Sequence, residues 1–174
     1  ILGGWLPDDP AGGRKGRPDI LVAVPGGYLP ADVKHHRSAE PKARKTAQIA
    51  PLTAPGAWTG MEGWSAATIY RYSDGLQLAH YSRQLEAMGS HPGPHLLWGA
   101  VLGSTRIAAG GQPDDLVFVW HDLTEPLAYT FSRSSDTGKK RRSLLERYDH
   151  EHRFRVKIAE AARQATATGD MTNL

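Results

Sequence analysis

The sequence predicts one α/β domain with a mixed central β-sheet flanked by helices. Short β-branched runs such as Ile20–Val24 are typical of strands, whereas apolar residues recur with helical spacing in Leu76–Met88 and Ser143–Ala162. A chain of 174 residues with 40% hydrophobic content can bury one sizeable core and is short for two ordinary domains.

Strands are predicted where runs of β-branched and aromatic residues are bounded by glycine and proline. The run Pro25-Gly26-Gly27 predicts a hairpin turn between the strands Ile20–Val24 and Tyr28–Lys34. In chain order the predicted strands are Ile1–Leu6, Ile20–Val24, Tyr28–Lys34, His95–Leu102 and Leu116–His121. Residues 35–63 combine basic side chains with proline and glycine and lack a sustained period, so we expect an exposed basic loop there.

Two helices are predicted. In the first, Asp74 and Gln77 have the spacing of a capping box before the apolar stripe, and Gly89 follows as a stop signal. In the second, Ser143–Ala162, the expected buried positions are Leu144, Leu145, Tyr148, Phe154, Ile158 and Ala162.

These elements predict a core over residues 1–132 and a basic helical C-terminal extension over residues 133–174, which packs on the core or continues from it. The sequence starts at Ile1 within a predicted strand, so we expect this chain to be a piece of a longer protein. Further domains or subunits outside the chain are therefore expected as partners.

Charge and composition narrow the function classes. A formal charge of +3 and a pI of about 9.3 favour an anionic partner such as nucleic acid. The absence of cysteine excludes disulfides, thiolate zinc sites and iron–sulfur clusters within these residues. No apolar run approaches the roughly 20 residues of a membrane span. We therefore expect no membrane partner and a cytoplasmic location.

Two acidic residues and a lysine flank the predicted hairpin. Asp32 and Lys34 share a face because side chains alternate along a strand. If the hairpin closes with Val24 opposite Leu29, or with Pro25 opposite Tyr28, then Asp19 lies on the same face, opposite Lys34. A three-residue loop would send Asp19 to the other side.

The prolines help to choose between these closures. Pairing Pro25 with Tyr28 would place Pro25 and Pro30 where the ladder requires an N–H, so a four-residue loop from Pro25 to Tyr28 is expected.

Two carboxylates beside an ammonium suit a divalent-metal site. Oxygen ligands hold Mg²⁺ or Mn²⁺ while the ion keeps part of its water shell, and such an ion stabilises phosphate charge and acidifies water. Lys34 would position that water or stabilise charge nearby. The alternative for this segment alone is a hairpin salt bridge between Asp19 and Lys34.

The pattern Pro18-Asp19, a 12-residue spacer and Asp32-Val33-Lys34 resembles the signature of the PD-(D/E)xK nuclease superfamily. Gln77-Leu78-Ala79-His80-Tyr81 resembles the Q-x-x-x-Y motif of its RecB-like branch, and residues i and i+4 share a helical face. The alternative for this pair is a capping glutamine and a core tyrosine. Stretches from about Gly16 to Ala162 are similar to predicted nucleases of the bacterial RecB family.

The resemblance implies a restriction-endonuclease-like core. It also implies that Asp19, Asp32 and the carbonyl of Val33 bind metal and that Lys34 is catalytic. Gln77 and Tyr81 would orient substrate or support the site. The family's upstream helix, which supplies a further Glu or His, is not found after Ile1, and no C-terminal cysteines follow for an iron–sulfur cluster.

Basic residues near the hairpin and before the last helix are candidate phosphate contacts, and for the second group the alternative is a solvated helix face paired with acids. The candidates are Arg17, His36, Arg37, Lys139, Lys140, Arg141 and Arg142.

Together these features predict a Mg²⁺- or Mn²⁺-dependent nuclease that acts on single-stranded DNA or duplex ends. Exonuclease or flap-type processing in repair or recombination fits best, because no element that reads base sequence is apparent. The principal alternative is a catalytically inactive nucleic-acid-binding module with the same fold. A third is a structural domain that binds neither metal nor DNA.

Overall fold

The computed structural model describes residues 1–108 and 114–169. Its elements, in chain order, are β1 (Ile20–Val24), β2 (Gly27–Val33), β3 (Ala39–Pro51), β4 (Thr59–Ala66), α1 (Arg71–Ala87), β5 (Trp98–Ile107), β6 (Asp115–Asp122), β7 (Pro126–Phe131), β8 (Lys139–Ser143) and α2 (Leu144–Thr168).

The central sheet has six strands in the order β1-β2-β5-β6-β3-β4. Its β2–β5 pair is parallel and its other pairs are antiparallel, which confirms the predicted mixed α/β sheet. The parallel pair requires a long crossover, and β3, β4 and α1 lie within it. Helix α1 packs on β2 and β5, and α2 packs on α1.

Side chains alternate along β5, so successive residues of this strand pack into hydrophobic clusters on opposite faces of the sheet. Val101 joins the cluster beneath the helices, together with Leu78 and Tyr148. Its neighbour Ala100 joins the opposite cluster, which contains Phe118 and is covered by further aromatic and aliphatic side chains. Among the described residues, no helix combines the length and the apolar character that crossing a membrane requires.

The expected basic loop at residues 35–63 is wrong, because β3 and β4 form an antiparallel hairpin there. Ala47 and Ile49 are buried where β3 pairs regularly with β4. Between Pro41 and Thr46 the register shifts, and the charged residues of that stretch are exposed. The irregularity breaks the two-residue period that would have revealed the strand.

The hairpin turn is tighter than expected. Val24 pairs with Gly27, so the loop is Pro25-Gly26 instead of the four-residue loop. Gly26 has φ 88°, a left-handed conformation that suits the second central residue of a proline-initiated turn. The two closures differ by two residues, so the face reached by each side chain is unchanged, but Asp19 lies opposite Asp32 and the expected pairing with Lys34 is wrong.

Helix α1 starts earlier than the capping pattern predicted. Its N-cap is Tyr70, which makes no side-chain capping bond, and Asp74 lies buried inside the helix. The expected N-cap role of Asp74 is therefore wrong. Gly89, with φ 68°, follows the C-cap Met88 at the predicted end.

The C-terminal extension begins as a strand, because β8 pairs with β7 and contains the whole basic run from Lys139 to Arg142. Helix α2 then starts at the capping box of Ser143 and Glu146. Leu144, Leu145 and Tyr148 are buried as expected, whereas Ala162 is only partly buried and Phe154 and Ile158 are exposed. Residues 170–174 of the extension lie outside the described residues.

The predicted strand at the start of the chain is reduced to an isolated bridge between Leu2 and Ile20.

Gly103 lets the segment after β2 lie directly against β5. Lys34 N–H donates to the carbonyl of Leu102 at 2.9 Å, and Ser104 N–H donates to the carbonyl of His36 at 2.9 Å. A Cβ on Gly103 would lie 2.5 Å from the carbonyl oxygen of His36, which is backbone and cannot rotate away.

We therefore expect Gly103→Ala to destabilise the protein by about 1–3 kcal/mol, as overpacking typically does. Urea unfolding measures the change. Gly4→Ala is the control, because a Cβ on Gly4 meets no atom within 4 Å. Equal stability of the two variants would mean that the approach at Gly103 does not constrain this segment.

Candidate active site

Asp19 and Asp32 lie side by side at the open end of the β1–β2 hairpin. Because Ile20 pairs with Ala31, the next position along the register sets Asp19 opposite Asp32 and places both on one face. Asp19 Oδ2 accepts a hydrogen bond from the backbone N–H of Val33 at 2.8 Å. The two carboxyl groups are within hydrogen-bonding reach of each other.

The two carboxyl groups differ in their environment. Asp32 is only 3% exposed, and its burial together with the neighbouring Asp19 raises its pKa to about 6 despite the nearby Lys34. Burial acts to raise the pKa of Asp19, but its hydrogen bonds with Asp32 and Val33, together with the positive charges of Lys34 and Arg17, lower it overall. A proton at this pair therefore resides on Asp32.

Lys34 connects the carboxylates to helix α1. Its ammonium forms an ion pair with Asp32 and donates a hydrogen bond to Gln77 Oε1 at 2.7 Å. Gln77 Nε2 donates to the hydroxyl of Tyr81 at 3.0 Å, and that hydroxyl donates to the carbonyl of Arg17 at 3.2 Å. One hydrogen-bonded chain thus links β2, α1 and the segment before β1.

Asp74 and His36 form a second pair beside this chain, which the sequence pattern assigned to other roles. His36 Nε2 lies 3.2 Å from Asp74 Oδ2, and the ring stacks on Tyr70 with centroids 3.8 Å apart. Burial raises the pKa of Asp74, while the positive charges of His36 and Lys34 oppose that change.

His36 Nδ1 also lies 3.0 Å from the carbonyl oxygen of Arg37, so both ring nitrogens of His36 have a polar neighbour. The helical spacing of Asp74, Gln77 and Tyr81 could have indicated that Asp74 joins this face.

The candidate phosphate contacts are scattered. The ring of His36 is engaged by Asp74 and Tyr70, and its contact with phosphate stays a prediction. Arg37 is exposed, and the Arg17 guanidinium is 3.5 Å from the carbonyl of Gly3. The basic residues Lys139–Arg142 lie on the separate β7–β8 hairpin.

A cavity of about 410 Å³ adjoins this site. Gln77 and Tyr81 form one part of its wall, and Lys15 and Arg155 supply positive charge elsewhere in the lining. The cavity therefore offers an anionic ligand both space and cations next to the hydrogen-bonded chain.

The two carboxylates suit a hard divalent ion. The described residues contain no group of three or more His, Cys, Asp or Glu placed to hold a metal, so an ion bound here would have the two neighbouring carboxylates of Asp19 and Asp32 as its side-chain ligands. Mg²⁺ commonly uses one or two carboxylates and retains several waters. Asp32 Oδ2 is buried and forms an ion pair with the Lys34 ammonium, so a cation bound at this oxygen would share it with Lys34 or displace that ammonium.

A scan of known protein families and searches of curated proteins and of solved structures found no match to this chain. Function is therefore inferred from the side chains of the site.

The raised pKa of Asp32 has a consequence for stability. A carboxyl group whose folded-state pKa lies near 6 instead of 3.8 contributes full stability at low pH and loses it as the pH rises through 6. In chelator at pH 8, Asp32→Asn should therefore stabilise the protein by about 1–3 kcal/mol, measured by urea unfolding.

The matched control is Asp9→Asn. The backbone N–H of Gly12 and the side chain of Arg14 lower the pKa of Asp9, so its charged form is favoured and its neutralisation should destabilise the protein. The account of Asp32 is refuted if Asp32→Asn also destabilises the protein at pH 8 and the loss does not depend on pH.

Proposed function

We propose that this chain is a DNA nuclease that hydrolyses phosphodiester bonds with Mg²⁺ or Mn²⁺. The observation that supports the proposal is the convergence of Asp19, Asp32, Lys34 and Gln77, two of them joined by a 2.7 Å hydrogen bond, at one end of the hairpin. This convergence agrees with the resemblance to the RecB-like branch and with a restriction-endonuclease-like core. Trimming of single strands or duplex ends, by exonuclease or flap-type action, fits a site without base-reading elements.

Each residue has a distinct task in this proposal. Asp19 and Asp32 hold the ion, with the carbonyl of Val33 as a further ligand. When bound, the ion places positive charge beside the scissile phosphate and lowers the pKa of the attacking water. Lys34 contributes a second positive charge where negative charge develops on the phosphate.

Gln77 and Tyr81 act as positioning residues. The Lys34 ammonium lies at the end of a flexible stem, and Gln77 Oε1 restrains it from the helix side while Asp32 holds it from the sheet. Tyr81 in turn fixes the Gln77 amide and anchors it to the backbone at Arg17. Preorganisation of this kind removes a reorganisation cost from the reaction step.

A second candidate is a catalytically inactive nucleic-acid-binding module. The limited ligand set favours it, since the described residues offer two carboxylates and no third acidic or histidine ligand. Such a module would bind DNA equally well in chelator and in Mg²⁺.

Cleavage of end-labelled single-stranded and duplex DNA in Mg²⁺, Mn²⁺ or chelator distinguishes the two candidates. We expect metal-dependent cleavage, lost in Asp19→Asn and Asp32→Asn because each removes a charged ligand. Under single-turnover conditions, Lys34→Ala should cut about 10²–10³-fold more slowly with DNA affinity retained, because its interaction strengthens in the transition state.

Asp8→Asn and Lys42→Ala are matched controls, since Asp8 is an exposed acid outside the site and Lys42 an exposed lysine on β3. The nuclease proposal fails if the wild type cleaves neither DNA form in either metal, or if the site variants cleave as the controls do. An RNA substrate of the same sequence, tested in parallel, assigns the sugar preference.

A further inference from the structure

The β7–β8 hairpin presents two aromatic rings to solvent. Tyr129 and Phe131 are 70% and 76% exposed, although rings of this size normally contribute to a core. They are two residues apart on β7, so they share one face of the ribbon.

Cations lie directly opposite these rings. Tyr129 pairs with Arg141 and Phe131 pairs with Lys139, so the same outer face has two rings along one strand and two positive charges along the other. The Arg141 guanidinium lies 5.5 Å from the centre of the Tyr129 ring, within cation–π range.

The opposite face of the hairpin carries the alternate residues Thr130 and Arg142, whose side chains hydrogen-bond to each other at 3.1 Å. Arg142 also lies 3.8 Å from Glu146 in the first turn of α2. These polar contacts involve neither Tyr129 nor Phe131, and both rings stay largely exposed although Phe131 also borders the cavity between the hairpin and α2.

We propose that this outer face binds unpaired nucleotides, with bases stacked on Tyr129 and Phe131 and phosphates held by Lys139 and Arg141. Residues 126–143 contain five basic side chains and a single acid, Asp136, which complements a polyanion. Ring positions two residues apart on a strand are separated by about 7 Å, twice the spacing of stacked bases, so each ring accepts its own base.

Stacking of bases on the two rings favours binding of a single strand over binding of a duplex. Stacking needs an exposed base face, which a paired strand does not offer away from its end, whereas the cations would attract both forms. The inference rests on the proposed nucleic-acid function and extends it to the form of strand recognised.

The test is fluorescence anisotropy with labelled oligothymidine and with a duplex, in chelator and at several salt concentrations. Tyr129→Ala with Phe131→Ala should weaken oligothymidine binding by about five-fold or more per ring and leave duplex binding within about two-fold. Tyr129→Phe with Phe131→Tyr should bind as the wild type does, because stacking does not need the hydroxyl. Lys139→Gln with Arg141→Gln should weaken both forms and flatten the salt dependence.

The control is Phe154→Ala with Ile158→Ala, which removes two exposed apolar side chains from α2 without touching the hairpin. Retention of oligothymidine binding in the double alanine variant, or equal weakening for single strand and duplex, overturns the proposal. If the wild type cleaves DNA but the rings prove irrelevant to binding, this inference fails alone. If the rings bind single strands and no metal supports cleavage, the nuclease proposal fails alone.

Discussion

The register of the β1–β2 hairpin is the constraint on which the site depends. The two-residue turn at Pro25-Gly26 sets Ile20 against Ala31, and this pairing brings Asp19 beside Asp32. A slip of one residue would turn Asp19 to the other face and break the site. Burial of Val22 and Leu29 in one cluster opposes such a slip, because a slip would move apolar side chains into solvent. Packing of the sheet thus determines the spacing of the two carboxylates.

Burial raises the pKa of Asp32 and makes the charged form of its carboxyl group energetically unfavourable. The carboxyl group resists ionisation, because a single ammonium and a neighbouring carboxylate do not replace the water it has lost. In the proposed site a divalent cation would supply the missing charge, and the free energy lost by burying the carboxyl group would then contribute to binding the ion. Helix α1 contributes Gln77 and Asp74 to the same end of the sheet, and Gly103 keeps the segment carrying Lys34 against β5. The site is therefore built by elements distant in sequence.

The sequence predicted which side chains share a face where a strand or helix keeps one side-chain period along its whole length. The two-residue period of the hairpin predicted a common face for the carboxylates, and the i, i+4 spacing predicted that Gln77 and Tyr81 act together. The β3–β4 hairpin was missed because a register shift, in a stretch of charged residues, interrupts the alternation of buried and exposed side chains. The pairing of Asp74 with His36 was missed because a capping role for Asp74 explained the same residue locally. Exposed rings such as Tyr129 leave no signal in sequence, since exposure depends on what tertiary packing leaves uncovered.

The central claim is that Asp19 and Asp32 form one divalent-cation site, and titration with Mn²⁺ followed by electron paramagnetic resonance tests it most directly. The free-ion signal measures unbound Mn²⁺, so stoichiometry and affinity follow without DNA or turnover. The account predicts saturable binding of one Mn²⁺ per chain at pH 8, competed by Mg²⁺, lost in Asp19→Asn or Asp32→Asn and retained in Asp8→Asn. Binding of Mn²⁺ with equal affinity by the wild type and Asp32→Asn would contradict it.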